Sequence, residues 1–153
     1  MASAAPVEII RLLSCSIRPP SSPRPGWPLP RAVSGRAAQA VAGDFFQTVP
    51  EGDAHILSFV IHDWDDERSV AILRNVHRAQ PKGGRLFLVE IVLPEGNEPS
   101  FGKLLDMEML VMPGGRERTR AEYASLFEAA GFRLVRVLAT ESPCSIIEAV
   151  RVD

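Results

Sequence analysis

The stretch from Ala54 to Leu93, AHILSFVIHDWDDERSVAILRNVHRAQPKGGRLFLVEIVL, decides the fold. Its opening run, Ala54 to Ile61, is short, continuous and apolar, as expected for a strand buried on both faces. Between Asp65 and Gln80, the residues Val70, Leu73, Val76 and His77 recur at helical spacing, and Pro81 with Gly83-Gly84 closes the segment. Arg85 to Leu93 is a second buried strand, rich in branched and aromatic residues, and Pro94 and Gly96 stop it. A strand-helix-strand unit of this kind crosses over right-handedly and pairs its strands in parallel. The fold class is therefore α/β.

Working outward, a Met- and Leu-rich helix is expected over Phe101 to Met112, followed by a break at Pro113-Gly114-Gly115. Thr119 and Glu122 have the spacing of a capping box, opening a helix over Ala121 to Ala130 that Gly131 ends. Phe132 to Ala139 and Ser145 to Val152 read as two final strands, antiparallel at one edge of the sheet. Upstream the composition changes. Seven of the 13 prolines lie in the first 30 residues, and residues 1–43 hold five arginines against the single acid Glu8. Residues 1–40 are expected to be a mostly disordered or non-homologous arm, because proline removes donors and fixes the backbone. Their proline density also argues against the amphipathic helix of a transit peptide.

The composition excludes some functions. The chain has 153 residues, 46% hydrophobic and 24% charged, with a net charge of -2. No apolar run approaches the roughly 18 residues of a membrane helix, and no dense Lys/Arg patch marks a nucleic-acid footprint. Cys15 and Cys144 cannot form a multi-bridge framework, so a cytoplasmic location is expected. No Ser or Cys nucleophile sits between turn glycines, and no spacing suggests a metal site.

In open α/β sheets ligands bind beyond the carboxyl ends of the strands. There the sequence places His62-Asp63-Trp64-Asp65-Asp66-Glu67, and Glu90 falls inside the second apolar run. A carboxylate buried in a strand costs several kcal/mol unless a donor or cation meets it. The expected partner is His62, one strand away, whose imidazole would then be oriented as a base is. Glu117 could supply the same ring with a second carboxylate. Trp64 could touch a ligand or simply cover the core, and Arg116 and Arg118 are expected to be solvated or paired with nearby acids. A His-Asp pair also occurs in metal phosphohydrolases, but His55 and His77 are badly spaced for such a site.

Six stretches then occur in order: Gly43-Asp44-Phe45-Phe46, His62 to Glu67, Pro81 to Gly84, Val89 to Pro94, Leu105-Asp106 with Met109-Leu110, and Gly114 to Thr119. Together they resemble the C-terminal half of the dimeric small-molecule O-methyltransferases, which include caffeate, acetylserotonin and polyketide-tailoring enzymes. The resemblance spans Val41 to about Val150. It implies a partial Rossmann-like methyltransferase sheet with flanking helices over residues 41–153, with S-adenosyl-L-methionine as cofactor and an aromatic hydroxyl compound as substrate. It further implies a homodimer for the full-length family. By position, His62 matches the general base and Glu90 and Glu117 the acids that bracket it. Asp44 and Phe45 match the adenine contacts, and Ser58 stands where plant members often carry a cofactor-side lysine. Asp63, Met109 and Met112 match positions lining the substrate pocket.

The family's glycine-rich turn and helical dimerisation domain have no counterpart here. Gly26, Gly35 and Gly43 stand isolated among prolines and arginines. The chain thus reads as a half domain joined near Arg36 to Val41 to an unrelated arm, with an apolar sheet edge left open. The alternative expectation is a catalytically inactive remnant that at most binds a partner of the same fold.

Overall fold

The computed structural model describes residues 12–15, 43–111 and 115–153. Its elements are β1 (Leu12–Cys15), β2 (Ala54–Ser58), a 3-10 turn (Ile61–Asp63), α1 (Asp66–Ala79), β3 (Arg85–Leu93), α2 (Phe101–Val111), β4 (Arg118–Thr119), α3 (Arg120–Ala130), β5 (Phe132–Ala139) and β6 (Cys144–Arg151). The sheet order is β1-β2-β3-β6-β5, with β4 pairing with the end of β3. β2 and β3 are parallel, from Ala54 against Arg85 to Ser58 against Val89, as the crossover requires. β6 runs antiparallel to both β3 and β5, which leaves β5 at the rim.

Local signals set the element ends. Asp65 caps α1 by accepting the Arg68 N–H at 2.8 Å, with Asp66 and Glu67 in the first turn, where the helix dipole favours negative charge. Thr119 and Glu122 form the complete capping box of α3, and Gly131 ends that helix at φ 86°, a left-handed geometry natural to glycine. α1 and α3 pack together, and the Arg74 guanidinium donates to the Ala129 carbonyl at the end of α3. The core comprises Leu57 of β2, Leu86 and Leu88 of β3, Ile147 and Ala149 of β6, and Ile72, Leu73, Val76, Tyr123 and Phe127 of the two helices.

Two expectations are corrected. β2 is not buried on both faces: burial alternates along it, with His55 and Leu57 buried and Ile56 half-buried, so its apolar run packs one face tightly. The other concerns the open sheet edge. Leu12–Cys15 pairs antiparallel with β2, from Leu12 against Leu57 to Cys15 against Ala54, and so covers a sheet edge expected to be open. The remainder of residues 1–40, and Met112 to Gly114, lie outside the described residues. No helix among the described residues is long and apolar enough to cross a membrane.

Two histidines show what their neighbours do. His55 is fully buried near the start of β2, its Nε2–H donating to the Pro50 carbonyl at 2.9 Å and its Nδ1 accepting from Gln80 Nε2 at 2.8 Å. Its partners carry no charge, so burial prevails over the Pro50 bond and its pKa falls below 6.5. His62, at the other end of the strand, behaves in the opposite way.

Candidate functional site

The chain leaves β2 through a left-handed residue, Phe59, at φ 53°. A bulky residue rarely adopts this geometry, which costs on the order of 1 kcal/mol and calls for compensation nearby. Phe59 N–H is held by the Val89 carbonyl at 3.1 Å, and the turn aims the next two backbone N–H groups at β3. Glu90 receives them. Its Oε1 accepts from Val60 N at 3.0 Å and Ile61 N at 2.9 Å, while its Oε2 accepts from His62 Nδ1 at 2.7 Å. The buried acid in the apolar run thus has three donors, the expected imidazole among them. With Nδ1 committed to Glu90, Nε2 is the nitrogen left to exchange protons.

The second carboxylate on the ring is Asp63, not Glu117: Asp63 Oδ1 lies 3.1 Å from His62 Nε2. Glu117 stands close enough for its charge to act on the imidazole, but its Oε2 is buried without a hydrogen-bond partner among the described residues. Burial alone would depress the His62 pKa. The hydrogen bond and charge of Glu90, then the charges of Asp63 and Glu117, outweigh burial and raise it above 6.5. For Glu117, burial dominates; the His62 charge opposes it, Glu90 and Asp106 reinforce it, and the carboxyl titrates at about 7 instead of 4.5. Both groups hold protons more tightly in the folded chain. Their contribution to stability is therefore complete below their unfolded values, 6.5 and 4.5, and is lost as pH rises through the folded ones.

A short segment brings Glu117 here. Its N–H donates to Asp106 Oδ1 of α2 at 2.8 Å, and Arg116 N–H donates to the His62 carbonyl at 2.9 Å. Gly115 makes this approach possible. A Cβ there would lie 2.6 Å from the Asp63 carbonyl carbon and closer still to the His62 carbonyl oxygen, with only backbone to give way. Gly115→Ala is expected to lower the unfolding free energy by about 1–3 kcal/mol through overpacking, read by urea titration, and to displace the His62 ring resonances. An unperturbed His62 spectrum would contradict this.

Arg118 pairs with an acid, as one of its two expectations had it, but its complete burial carried no sequence signal. Its side chain is wholly buried, with Nε and Nη2 on Asp66 Oδ1 at 3.0 and 2.8 Å. Nη1 donates to the Ile61 carbonyl at 3.1 Å and Nη2 to the Trp64 carbonyl at 2.8 Å. It therefore clasps the backbone on both sides of His62 to the start of α1. Arg116 pairs with Glu122 and reaches Asp66 at 3.8 Å. Nothing in the one-dimensional pattern R-E-R distinguishes the buried arginine from the half-exposed one.

The remaining candidates are dispersed. Asp44 is exposed, its Oδ1 accepting from Phe46 N at 2.8 Å and its Oδ2 from Gln47 Nε2 at 3.1 Å. The Phe45 ring, expected to meet a ligand, is buried in the core against Phe46 and Trp64. Trp64 covers that core edge-on to Phe46 at 4.8 Å, with Arg68 above its ring at 5.4 Å. Ser58 ends β2, half-buried. Met109 is half-buried on α2, whose outer side exposes Phe101, Leu104, Met107 and Leu110, and Met112 lies outside the described residues.

This geometry matches a known group. Residues 30–133 fit the model of the O-methyltransferase domain. The chain belongs to that family. The O-methyltransferase match begins upstream of Val41, where the motif resemblance was placed. Among its relatives is the phenazine O-methyltransferase PhzM of Lysobacter antibioticus, 55% identical over 125 residues, covering 81% of this chain and 37% of that protein. A solved methyltransferase of calicheamicin biosynthesis, with S-adenosylhomocysteine bound, is 44% identical at a TM-score of 0.74, covering 80% of this chain and 37% of that one. A neocarzinostatin O-methyltransferase, solved with S-adenosylmethionine and 2-hydroxy-5-methyl naphthoic acid, is 37% identical at a TM-score of 0.67, covering 76% and 34%. This O-methyltransferase chain thus spans little more than a third of the length of the relatives it matches.

Proposed function

We propose that the chain carries the base-bearing part of an S-adenosylmethionine-dependent O-methyltransferase acting on a hydroxyl of an aromatic small molecule. The observation that carries this reading is the His62 Nδ1–Glu90 Oε2 hydrogen bond of 2.7 Å at the carboxyl end of the parallel strands. The naphthoic acid bound by the neocarzinostatin relative supports the aromatic class of acceptor.

Removing a proton from a hydroxyl calls for a base with a pKa near the working pH and a fixed direction. Glu90 supplies the direction by holding Nδ1–H, and its negative charge stabilises the imidazolium formed when Nε2 takes the substrate proton. In the present geometry Asp63 shares Nε2, so its half-exposed side chain must turn aside before a hydroxyl can take its place. The cofactor, when bound, would supply a methyl group already activated on a sulfonium. Asp44 fits its adenine end, since each carboxylate oxygen keeps a lone pair free for an amine. Phe45, packed inward, does not offer the ring contact expected of it. Ser58, half-buried at the end of β2, is the remaining cofactor-side candidate.

Calorimetric titration of the 153-residue chain with S-adenosylhomocysteine tests the reading. Saturable binding is expected. Its absence up to millimolar ligand would leave the inactive remnant as the better description. Where turnover is measurable, His62→Gln should reduce it by about 100-fold or more while sparing cofactor affinity.

A further inference from the structure

Two buried polar atoms, Glu117 Oε2 and the Tyr123 hydroxyl, have no hydrogen-bond partner among the described residues. Buried polar groups are rarely left so, and two such atoms subject to the same neighbouring charges need an explanation. Tyr123 lies in the first turn of α3, just after the capping-box Glu122, and its ring is fully buried. The charges that act on its hydroxyl are Glu90, Glu117, Arg118 and Glu122. The charges acting on Glu117 are His62, Glu90, Asp106 and Arg118. A phenylalanine would fill the same apolar position without burying an unpaired hydroxyl.

We infer that the Tyr123 hydroxyl is a positioning group for Glu117, donating to its Oε2 through one bridging water and so fixing a further acid near His62. The donor favours the ionised carboxyl over the neutral one and opposes the effect of burial. Burial raises the Tyr123 pKa well above 10, so the phenol keeps its proton and serves as a donor throughout the range in which Glu117 titrates. The functional consequence rests on the reading of His62 as a base; the hydrogen bond itself does not.

Tyr123 is the sole tyrosine of the sequence, so an isotope label on the hydroxyl-bearing ring carbon gives a single resonance in the intact chain. That resonance should inflect near pH 7 as Glu117 ionises. The inflection should persist in His62→Gln and vanish in Glu117→Gln. Conversely, Tyr123→Phe should shift the Glu117 carboxyl midpoint upward by about one unit, the tenfold effect of losing a hydrogen bond to a charged group. No inflection in the wild-type chain, an inflection that survives Glu117→Gln, or an unmoved Glu117 midpoint in Tyr123→Phe would each overturn the inference. None of these readings needs cofactor or turnover, so they stand or fall separately from the methyl-transfer proposal.

Discussion

Replacing Glu90 with alanine is expected to lower the unfolding free energy by about 3–5 kcal/mol, because it strands three donors at once. Val60 N–H, Ile61 N–H and His62 Nδ1–H all converge on one carboxylate that has no solvent access. Glu90→Gln separates this structural work from the electrostatic part. Its carbonyl can still accept from the two backbone N–H groups, while its amide faces the imidazole and forces the other tautomer. The glutamine variant should therefore keep more than half of the stability lost in alanine. Urea unfolding of the three chains provides the comparison, and equal losses for alanine and glutamine would show that the carboxylate does not organise the turn as described.

Arg118→Leu is expected to cost about 2–4 kcal/mol, from the carbonyls and the Asp66 carboxylate left without their donor. The upper part of the range is restrained because Asp66 is more than half exposed and the Ile61 carbonyl keeps a second donor in Trp64 N–H. Arg118→Lys should recover less than half, since one ammonium cannot span Asp66, the Ile61 carbonyl and the Trp64 carbonyl as a planar guanidinium does. The His62 ring should also lose its fixed orientation in both variants, visible as broadening of its resonances. A lysine variant as stable as the wild type would reduce Arg118 to an ordinary ion pair.

How much of this could be read from the chain depended on whether a residue's role was local. The strand-helix-strand unit was legible because Pro81, the Gly83-Gly84 turn and the helical spacing of Val70, Leu73 and Val76 are local signals. The α3 capping box was legible for the same reason, and its predicted bonds are present. Glu90 announced itself because an acid in an apolar run requires partners, and His62 was the nearest donor of the right chemistry. The partner of Nε2 was not legible. The backbone between Phe59 and Trp64 places Asp63 there, and a left-handed phenylalanine carries no sequence signature. The burial of Arg118 was not legible because it follows from the parallel pairing of a two-residue strand with the far end of β3, a contact between distant segments. Phe45 was assigned outward by resemblance, whereas packing against Trp64 turns it inward.

The central claim is that Glu90 holds the His62 imidazole with Nδ1 protonated and leaves Nε2 to titrate. A nitrogen-15 NMR titration of the ring, assigned by comparison with His62→Gln, measures this directly. The account predicts Nδ1–H retained throughout, Nε2 titrating with a midpoint above 6.5, and that midpoint falling in Glu90→Gln. A midpoint at or below 6.5 in the wild-type chain, or a neutral ring protonated on Nε2, would contradict it.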